Sequence, residues 1–111
     1  MPQPALSPDA FARKSGVAAA LLRALAHEAR LMVLCQLLDG ERSVSALLES
    51  SVLSQSALSQ HLARLREEGL VTTRREAQTI FYRLADSKAK RIIAALGAIY
   101  CPPTRKRFRK R

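Results

Sequence analysis

The stretch Leu53-Ser-Gln-Ser-Ala-Leu-Ser-Gln-His-Leu-Ala-Arg-Leu-Arg-Glu-Glu-Gly-Leu-Val71 decides the fold of this chain. Ser54 belongs to the residue types that cap helix N-termini, and Gly69 is the type favoured just beyond a helix C-terminus. Between them leucines recur at positions i, i+4 and i+7, which places one apolar stripe along a helix of about four turns. The stripe consists of Leu58, Leu62 and Leu65. The stretch therefore predicts an amphipathic helix that begins after Ser54 and ends before Gly69.

The face opposite the leucine stripe is polar and holds no carboxylate before Glu67 and Glu68. A solvated helix face commonly carries charges of both signs, whereas this one consists of side chains that hydrogen-bond to base edges and phosphates in a major groove. They are Gln55, Ser56, Ser59, Gln60, His61 and Arg64. This composition favours a DNA-binding face over a merely polar surface.

The whole chain is strongly basic, with 19 Lys and Arg against 9 Asp and Glu and a net charge of +10 over 111 residues. Such an excess indicates a polyanionic partner, and nucleic acid is the commonest polyanion in a cell. Six of the basic residues lie within residues 105–111. We therefore expect one domain over residues 1–103, followed by a disordered basic tail over residues 104–111.

Start and stop signals predict four further helices. Ser7 followed by Pro8 is a helix start, and so is Ser43. Pro102 ends the last helix at Cys101, because a residue before proline is pushed out of the helical region. The predicted helices cover residues 8–22, 27–38, 44–49 and 87–101. The third of them is joined to the helix after Ser54 by a short connection, which is the arrangement of a helix-turn-helix.

The hydrophobic period changes after Gly69. Residues 71–75 and 79–84 are two β-rich runs with a short polar turn between them, which predicts an antiparallel hairpin. A hairpin directly after a DNA-binding helix is a wing, whose tip can reach the minor groove or flanking phosphates. Arg74, Arg75 and Gln78 lie at or near that tip. The predicted fold is mainly α, a winged helix-turn-helix with about five helices and a two-stranded wing.

The first and last helices each have an apolar side, and so small a fold leaves little for the apolar side of the last helix to cover. On the first helix these residues are Phe11, Val17, Leu21 and Leu22, and on the last they are Ile92, Ile93, Leu96, Ile99 and Tyr100. We expect the last helix to pack against the first helix and against its twin in a second subunit. The protein is therefore predicted to be a homodimer.

Residues 25–31, 53–62 and 65–71 closely resemble the ArsR/SmtB family of winged-helix repressors. The resemblance covers roughly residues 18–101, and Ser59-Gln60-His61-Leu62 is its most specific part. It implies a dimer that binds an inverted-repeat DNA operator when unligated and releases that operator when an inducer binds. By the same resemblance, the polar face of the helix after Ser54 enters the major groove.

Members of this family differ mainly in what they sense. At the positions where the metal sensors carry metal ligands, this chain has residues that do not bind metals. The metal sensors place Cys-x-Cys on the helix before the DNA-binding helix, where this chain has Ser43-Val44-Ser45-Ala46-Leu47. Other members use Asp, His and Glu along the last helix, where this chain has Ser87, Lys88, Lys90 and Arg91. Because zinc and arsenite need several such ligands converging on one point, we expect neither a metal site nor a cofactor.

Cys35 and Cys101 remain as the candidate sensing residues. Their separation and the ending Tyr100-Cys101-Pro102 resemble the BigR/SqrR-type branch of sulfide-responsive repressors. The resemblance implies that both thiols react with persulfides or polysulfides, and that a polysulfide bridge between them weakens DNA binding. Considered alone, Cys35 lies on an apolar helix face, as a core cysteine would. A direct disulfide requires Cα atoms within about 7 Å, and inserted sulfurs relax that limit.

Several alternatives stay open. The chain could be a repressor that senses peroxide through a simple disulfide, an architectural nucleic-acid binder that uses its tail, or a dimerisation module without DNA function. The sequence has no Ser/His/Asp set, paired carboxylates or Gly-rich phosphate loop, so we expect no enzyme. It also has no apolar run of membrane-spanning length and no signal-peptide pattern, so we expect a cytoplasmic protein that does not bind membranes.

Overall fold

The structure is a computed structural model that describes residues 7–100, and within this range it has five helices and a three-stranded antiparallel sheet. The helices are α1 (Pro8–Leu25), α2 (Glu28–Gln36), α3 (Val44–Glu49), α4 (Gln55–Glu67) and α5 (Ser87–Tyr100). The strands are β1 (Arg42–Ser43), β2 (Val71–Glu76) and β3 (Thr79–Leu84). The predicted winged helix-turn-helix is confirmed, with α3 and α4 as its two helices and the β2–β3 hairpin as the wing.

The predicted helix starts are confirmed by their capping hydrogen bonds. The hydroxyls of Ser7, Ser43 and Ser54 each accept the backbone N–H three residues further on, at 3.3, 3.1 and 3.1 Å. Asp86 starts α5, because its carboxylate accepts the N–H groups of the second and third residues after it. At the other end of α4, Gly69 has φ +77° and follows the helix as the sequence predicts.

Two helix ends differ from the prediction. α1 continues to Leu25, three residues beyond the predicted end at Leu22, because Arg, Ala and Leu at positions 23–25 are all strong helix formers. α2 ends at Gln36 instead of Leu38, because the chain tightens into a turn that leads to Gly40 at φ +138°.

The sheet has one strand more than predicted. β2 and β3 pair from Val71 opposite Leu84 to Glu76 opposite Thr79, and β1 adds to the far edge of β3. The prediction of a two-stranded wing missed β1, because two residues are too few to show a period. The strand order is β1-β3-β2, so β3 is central and β1 leads directly into α3.

The core lies between α2, α3, α4, α5 and the base of the wing. The predicted stripe of Leu58, Leu62 and Leu65 on α4 is fully buried there. The sequence pattern predicts that the second helix buries Leu31, Leu34, Cys35 and Leu38. Of these Leu34 is fully buried, whereas the other three are half-buried. The fully buried residues are Leu25, Val33, Leu34, Leu37, Leu47, Leu58, Leu62, Leu65, Leu70, Val71, Ala89 and Ile93.

The apolar side of α1 is not covered within one chain. Phe11, Val17 and Leu22 are exposed, and Leu21 is half-buried. Within the chain α5 packs mainly on α2 and β3, whereas the prediction named α1 as its partner within the chain. One subunit therefore leaves apolar surface on both its first and last helices.

Candidate DNA-binding surface and cysteine groove

One side of α4 is buried by its leucines, so its opposite side is turned to solvent. Five of the six residues predicted to bind DNA are exposed on that side, and we call this set the reading face. It consists of Gln55, Ser56, Ser59, Gln60 and Arg64. Gln presents one donor and one acceptor, which match an adenine edge, and Arg presents two donors, which match a guanine edge. Ser can hydrogen-bond to either bases or phosphates.

His61 is placed differently from the other five residues. Its side chain is half-buried, and its ring centroid lies 4.8 Å from that of His27, the residue that caps α2 through Nδ1. On a helix, position 61 neighbours the buried positions 58 and 65, which explains why the His61 side chain is half-buried. Burial lowers the pKa of His61, and the charges of His27, Arg30 and Arg64 lower it further. His61 therefore joins α4 to the start of α2.

The tip of the wing exposes two of its three predicted DNA-binding residues, Arg75 and Gln78, and neither side chain forms a salt bridge within residues 7–100. Gln78 lies in the two-residue turn between β2 and β3, and Arg75 precedes that turn on β2. The three salt bridges formed within residues 7–100 involve neither Arg75 nor Arg64. Both guanidinium groups are therefore available to an anionic partner such as a phosphate.

Arg74 contacts carboxylates of the chain itself. Its Nε and Nη2 donate to the two carboxylate oxygens of Glu41 at 2.9 and 2.8 Å, and its Nη1 donates to Glu76 at 2.9 Å. The guanidinium also lies 4.6 Å from the centre of the Phe81 ring. These contacts raise the pKa of Arg74, and the hydrogen bonds from Arg74 lower the pKa of Glu41. The role of Glu41 could not be found from the sequence, because no local pattern pairs it with a residue 33 positions away.

Cys35 lines an open, mostly apolar groove of about 800 Å³ between α2 and α5. Tyr100, the last residue of α5, lines the same groove. Cys101 follows it directly in the sequence but lies outside the described residues, as does the basic tail over residues 104–111. No group of three or more potential metal ligands occurs within residues 7–100.

The helix-turn-helix, the acid-free reading face and the wing define a winged-helix DNA-binding protein. None of the helices in the described part of the chain has the length and apolar character needed to span a membrane. The chain belongs to the ArsR family of bacterial regulatory proteins, whose sequence pattern matches residues 27–73. Members of this family bind operator DNA and are typically dimers.

Known relatives are similar to this chain over most of its length. It is 54% identical to the transcriptional activator HlyU of Vibrio cholerae over 89 residues, which are 80% of this chain and 82% of that one. It is 52% identical to the biofilm growth-associated repressor of Agrobacterium fabrum, over 85% of this chain and 80% of the relative. The crystal structure of the repressor BigR from Xylella fastidiosa matches with a TM-score of 0.81 and 40% identity, covering 88% of this chain and all of that one. The chain is thus a transcriptional regulator, and the expectation that it is not an enzyme is confirmed.

Proposed function

We propose that the protein is a homodimeric repressor of sulfide-response genes, which binds an inverted-repeat operator and leaves it when Cys35 and Cys101 are bridged by reactive sulfur. The observation that carries this proposal is that Cys35 lines the same groove as Tyr100, the residue directly before Cys101. Cys101 itself lies outside the described residues, and the proposal uses only the covalent link that sets its Cα about 3.8 Å from that of Tyr100. The repressor would act on chromosomal DNA, and its place is therefore the cytoplasm.

DNA binding in this proposal uses the reading face of α4 and the wing tip. The side chains of α4 would enter the major groove, where Gln60 and Arg64 can each form paired hydrogen bonds with a base. Arg75 and Gln78 would reach the flanking minor groove or phosphates. The net charge of +10 adds a long-range attraction to any duplex.

Dimer formation is supported by the uncovered apolar side chains of α1 and α5. Phe11 is 64% exposed, and Ile99 and Tyr100 are 66% and 76% exposed. Clustered apolar side chains exposed to water mark a surface that another protein covers, and burial of each such side chain stabilises by about 2 kcal/mol. A second copy with the same two helices supplies a matching apolar surface.

Sensing in this proposal is a thiol reaction with an organic persulfide. The thiolate of one cysteine attacks the outer sulfur of the persulfide RSSH, takes up that sulfur and releases the thiol RSH. The resulting protein persulfide and the second cysteine then lose two electrons and two protons to another RSSH, which becomes RSH and hydrogen sulfide. The product is a trisulfide bridge between Cys35 and Cys101, formed from two RSSH with release of two RSH and one hydrogen sulfide.

Such a bridge would act on DNA binding through α2. This helix packs against both α5 and α4. A covalent bond between Cys35 on α2 and a residue directly after α5 would fix the angle between these helices. Because α5 also carries the apolar surface assigned to the dimer, a change in that angle alters the spacing of the two reading faces.

A DNA-binding titration with reduced and persulfide-treated protein tests the proposal. The duplex is the one that the reduced protein selects from a random library, and the reagent is glutathione persulfide. We expect treatment to weaken binding by at least about tenfold, with a mass increase of one or more sulfurs bridging the two cysteines. Cys35→Ser and Cys101→Ser should bind as the reduced protein does and fail to respond. Unmodified thiols, or variants that respond like the wild type, would refute the sensing mechanism.

The same assay separates persulfide sensing from general peroxide sensing. Hydrogen peroxide can join two thiols only as a direct disulfide, with release of two water molecules, and that bond needs the shorter Cα separation. A sensor selective for sulfur should keep its affinity for DNA after peroxide treatment. Equal release by both reagents would identify a general redox repressor.

The basic tail favours a second candidate function, that of an architectural nucleic-acid binder. Such a protein binds without sequence preference, its affinity falls steeply with salt, and deletion of residues 104–111 removes most of that affinity. A sequence-specific repressor keeps its preference among duplexes after the same deletion. Substitution of Gln60 and Arg64 with alanine tests the third possibility, because a dimerisation module without DNA function would lose nothing.

A further inference from the structure

We propose that Arg74 is a positioning residue, which braces the wing against the helix-turn-helix and does not contact DNA phosphates. The brace is the set formed by Arg74, Glu41, Glu76 and the ring of Phe81. This inference rests on the proposed operator binding, in which the reading face and the wing tip must contact one duplex at the same time. It assigns the two neighbouring arginines of the wing, Arg74 and Arg75, to different tasks.

The contacts of Arg74 span the whole width of the sheet. Arg74 lies on β2, one edge of the sheet, and Glu41 immediately precedes β1, the other edge. Between them the guanidinium lies over Phe81, its cross-strand partner on the central strand β3. A guanidinium forms such a paired contact with a carboxylate in one fixed planar geometry, so the bond sets direction as well as distance.

The charge of the brace makes a phosphate contact unfavourable. One guanidinium faces two carboxylates, since Nε and Nη2 donate to Glu41 and Nη1 donates to Glu76. The three charged side chains together carry a net negative charge, and the positive charge of Arg83 also acts on Glu41. A phosphate would have to displace these carboxylates from Arg74 and would then lie beside them.

The position of β1 explains how the brace acts on DNA binding. β1 has only two residues, Arg42 and Ser43, and α3 begins at the next residue. α3 is the first helix of the helix-turn-helix, so a bond between Glu41 and Arg74 ties the wing to the segment that introduces this helix. The angle between wing and reading face is then fixed before DNA is bound, which reduces the entropy lost on binding.

Glu41→Gln is the decisive variant, because the two assignments of Arg74 predict opposite signs. If Arg74 contacts phosphates, loss of the Glu41 charge releases the guanidinium and strengthens binding. If Arg74 is a brace, the same change loosens the wing, and we expect affinity for the selected duplex to fall about fivefold. Arg74→Lys, which keeps the charge but not the planar fork, should weaken binding to a similar extent.

Arg75, the neighbouring arginine on β2, provides the matched control for the Arg74 variants. Arg75→Gln should weaken binding and reduce the slope of log affinity against log salt by about 1, as loss of a phosphate contact does. Arg74→Gln should weaken binding and leave that slope unchanged. Thermal unfolding of each variant establishes that it is folded at the assay temperature.

Hydrogen exchange of the free protein tests the brace without DNA. The backbone amides of β3 that pair with β1 should exchange faster in Glu41→Gln and Arg74→Gln than in Arg75→Gln. Failure of the proposed function would appear as a wild-type protein that selects no duplex, whereas the exchange rates report on the brace alone. Tighter or unchanged DNA binding by Glu41→Gln, or equal exchange rates in all three variants, would overturn the inference.

Discussion

The central leucines of α3 and α4 are covered within one chain, whereas most of the large apolar side chains of α1 and those at the end of α5 face solvent. Leu47, Leu58, Leu62 and Leu65 are no more than 1% exposed, and Ile99 is 66% exposed. The helix-turn-helix, the wing and the parts of α2 and α5 that pack on them thus share a core that one chain completes, and we call them the complete half. The exposed faces of the outer helices α1 and α5 are the incomplete half. In the proposed function, one chain fixes the shape of the reading face and a second copy fixes the distance between two such faces.

The largest expected effect is in the complete half. Leu62→Ala leaves a cavity beneath the reading face and should lower the free energy of unfolding by about 3 kcal/mol. Phe11→Ala, a larger truncation at an exposed site, should cost much less when measured at a protein concentration where the chain is monomeric. Urea unfolding of both variants provides the measurement, and equal losses would contradict the distinction between the two halves.

The next effect concerns the incomplete half. Ile99→Glu places a charge in the apolar surface assigned to the dimer and should raise the dimer dissociation constant at least about tenfold. The helical content measured by circular dichroism should not change. Lys90→Glu, an exposed position earlier on α5, is the matched control. Sedimentation equilibrium that detects no difference between the two variants would remove α5 from the interface.

A smaller effect concerns His61, which joins α4 to the start of α2. Its pKa in the folded protein lies below the unfolded value of about 6.5, because burial and nearby positive charges disfavour the imidazolium. As the pH falls below about 6.5, the unfolded chain therefore binds a proton that the folded chain does not, and stability decreases. The decrease should be smaller in His61→Gln. Urea unfolding between pH 7.5 and 5 measures it, and parallel curves for the two proteins would exclude His61 as its source.

The smallest effect lies at the wing tip, which is the least covered part of the complete half. Ala77 has φ +56°, a conformation that glycine adopts without the steric cost of a Cβ atom. Ala77→Gly should therefore raise the free energy of unfolding by about 0.5 kcal/mol or more. Ala63→Gly, at an exposed helical position, should lower it by about 1 kcal/mol. A loss of stability in both variants would mean that no strain is relieved at the turn.

The same contrast explains what could be predicted from the sequence. Local signals set the complete half: serine caps, the spacing of three leucines and a glycine after the helix place α3, α4 and the wing within a residue or so. The contacts of His61 and Arg74 could not be predicted, because both depend on residues far away in sequence. For the same reason β1 was missed, since its only signal is its pairing with β3.

The packing of the outer helices α1 and α5 could also be predicted only in part from the sequence. The sequence shows that Phe11 and Ile99 are apolar, but which surface covers them depends on a second chain. The sensing assignment has a similar basis, because the relation of Cys35 to Cys101 depends on the packing of α2 against the end of α5.

The central claim is that one chain determines which bases are bound and that the dimer determines the distance between the two half-sites. The most direct test is the selection of duplexes from a random library by wild-type protein and by Ile99→Glu. The wild type should recover an inverted repeat with half-sites about one helical turn apart, roughly 34–36 Å. The variant should recover a single half-site with the same bases. Different bases for the variant, or wild-type sequences without any repeat, would contradict the account.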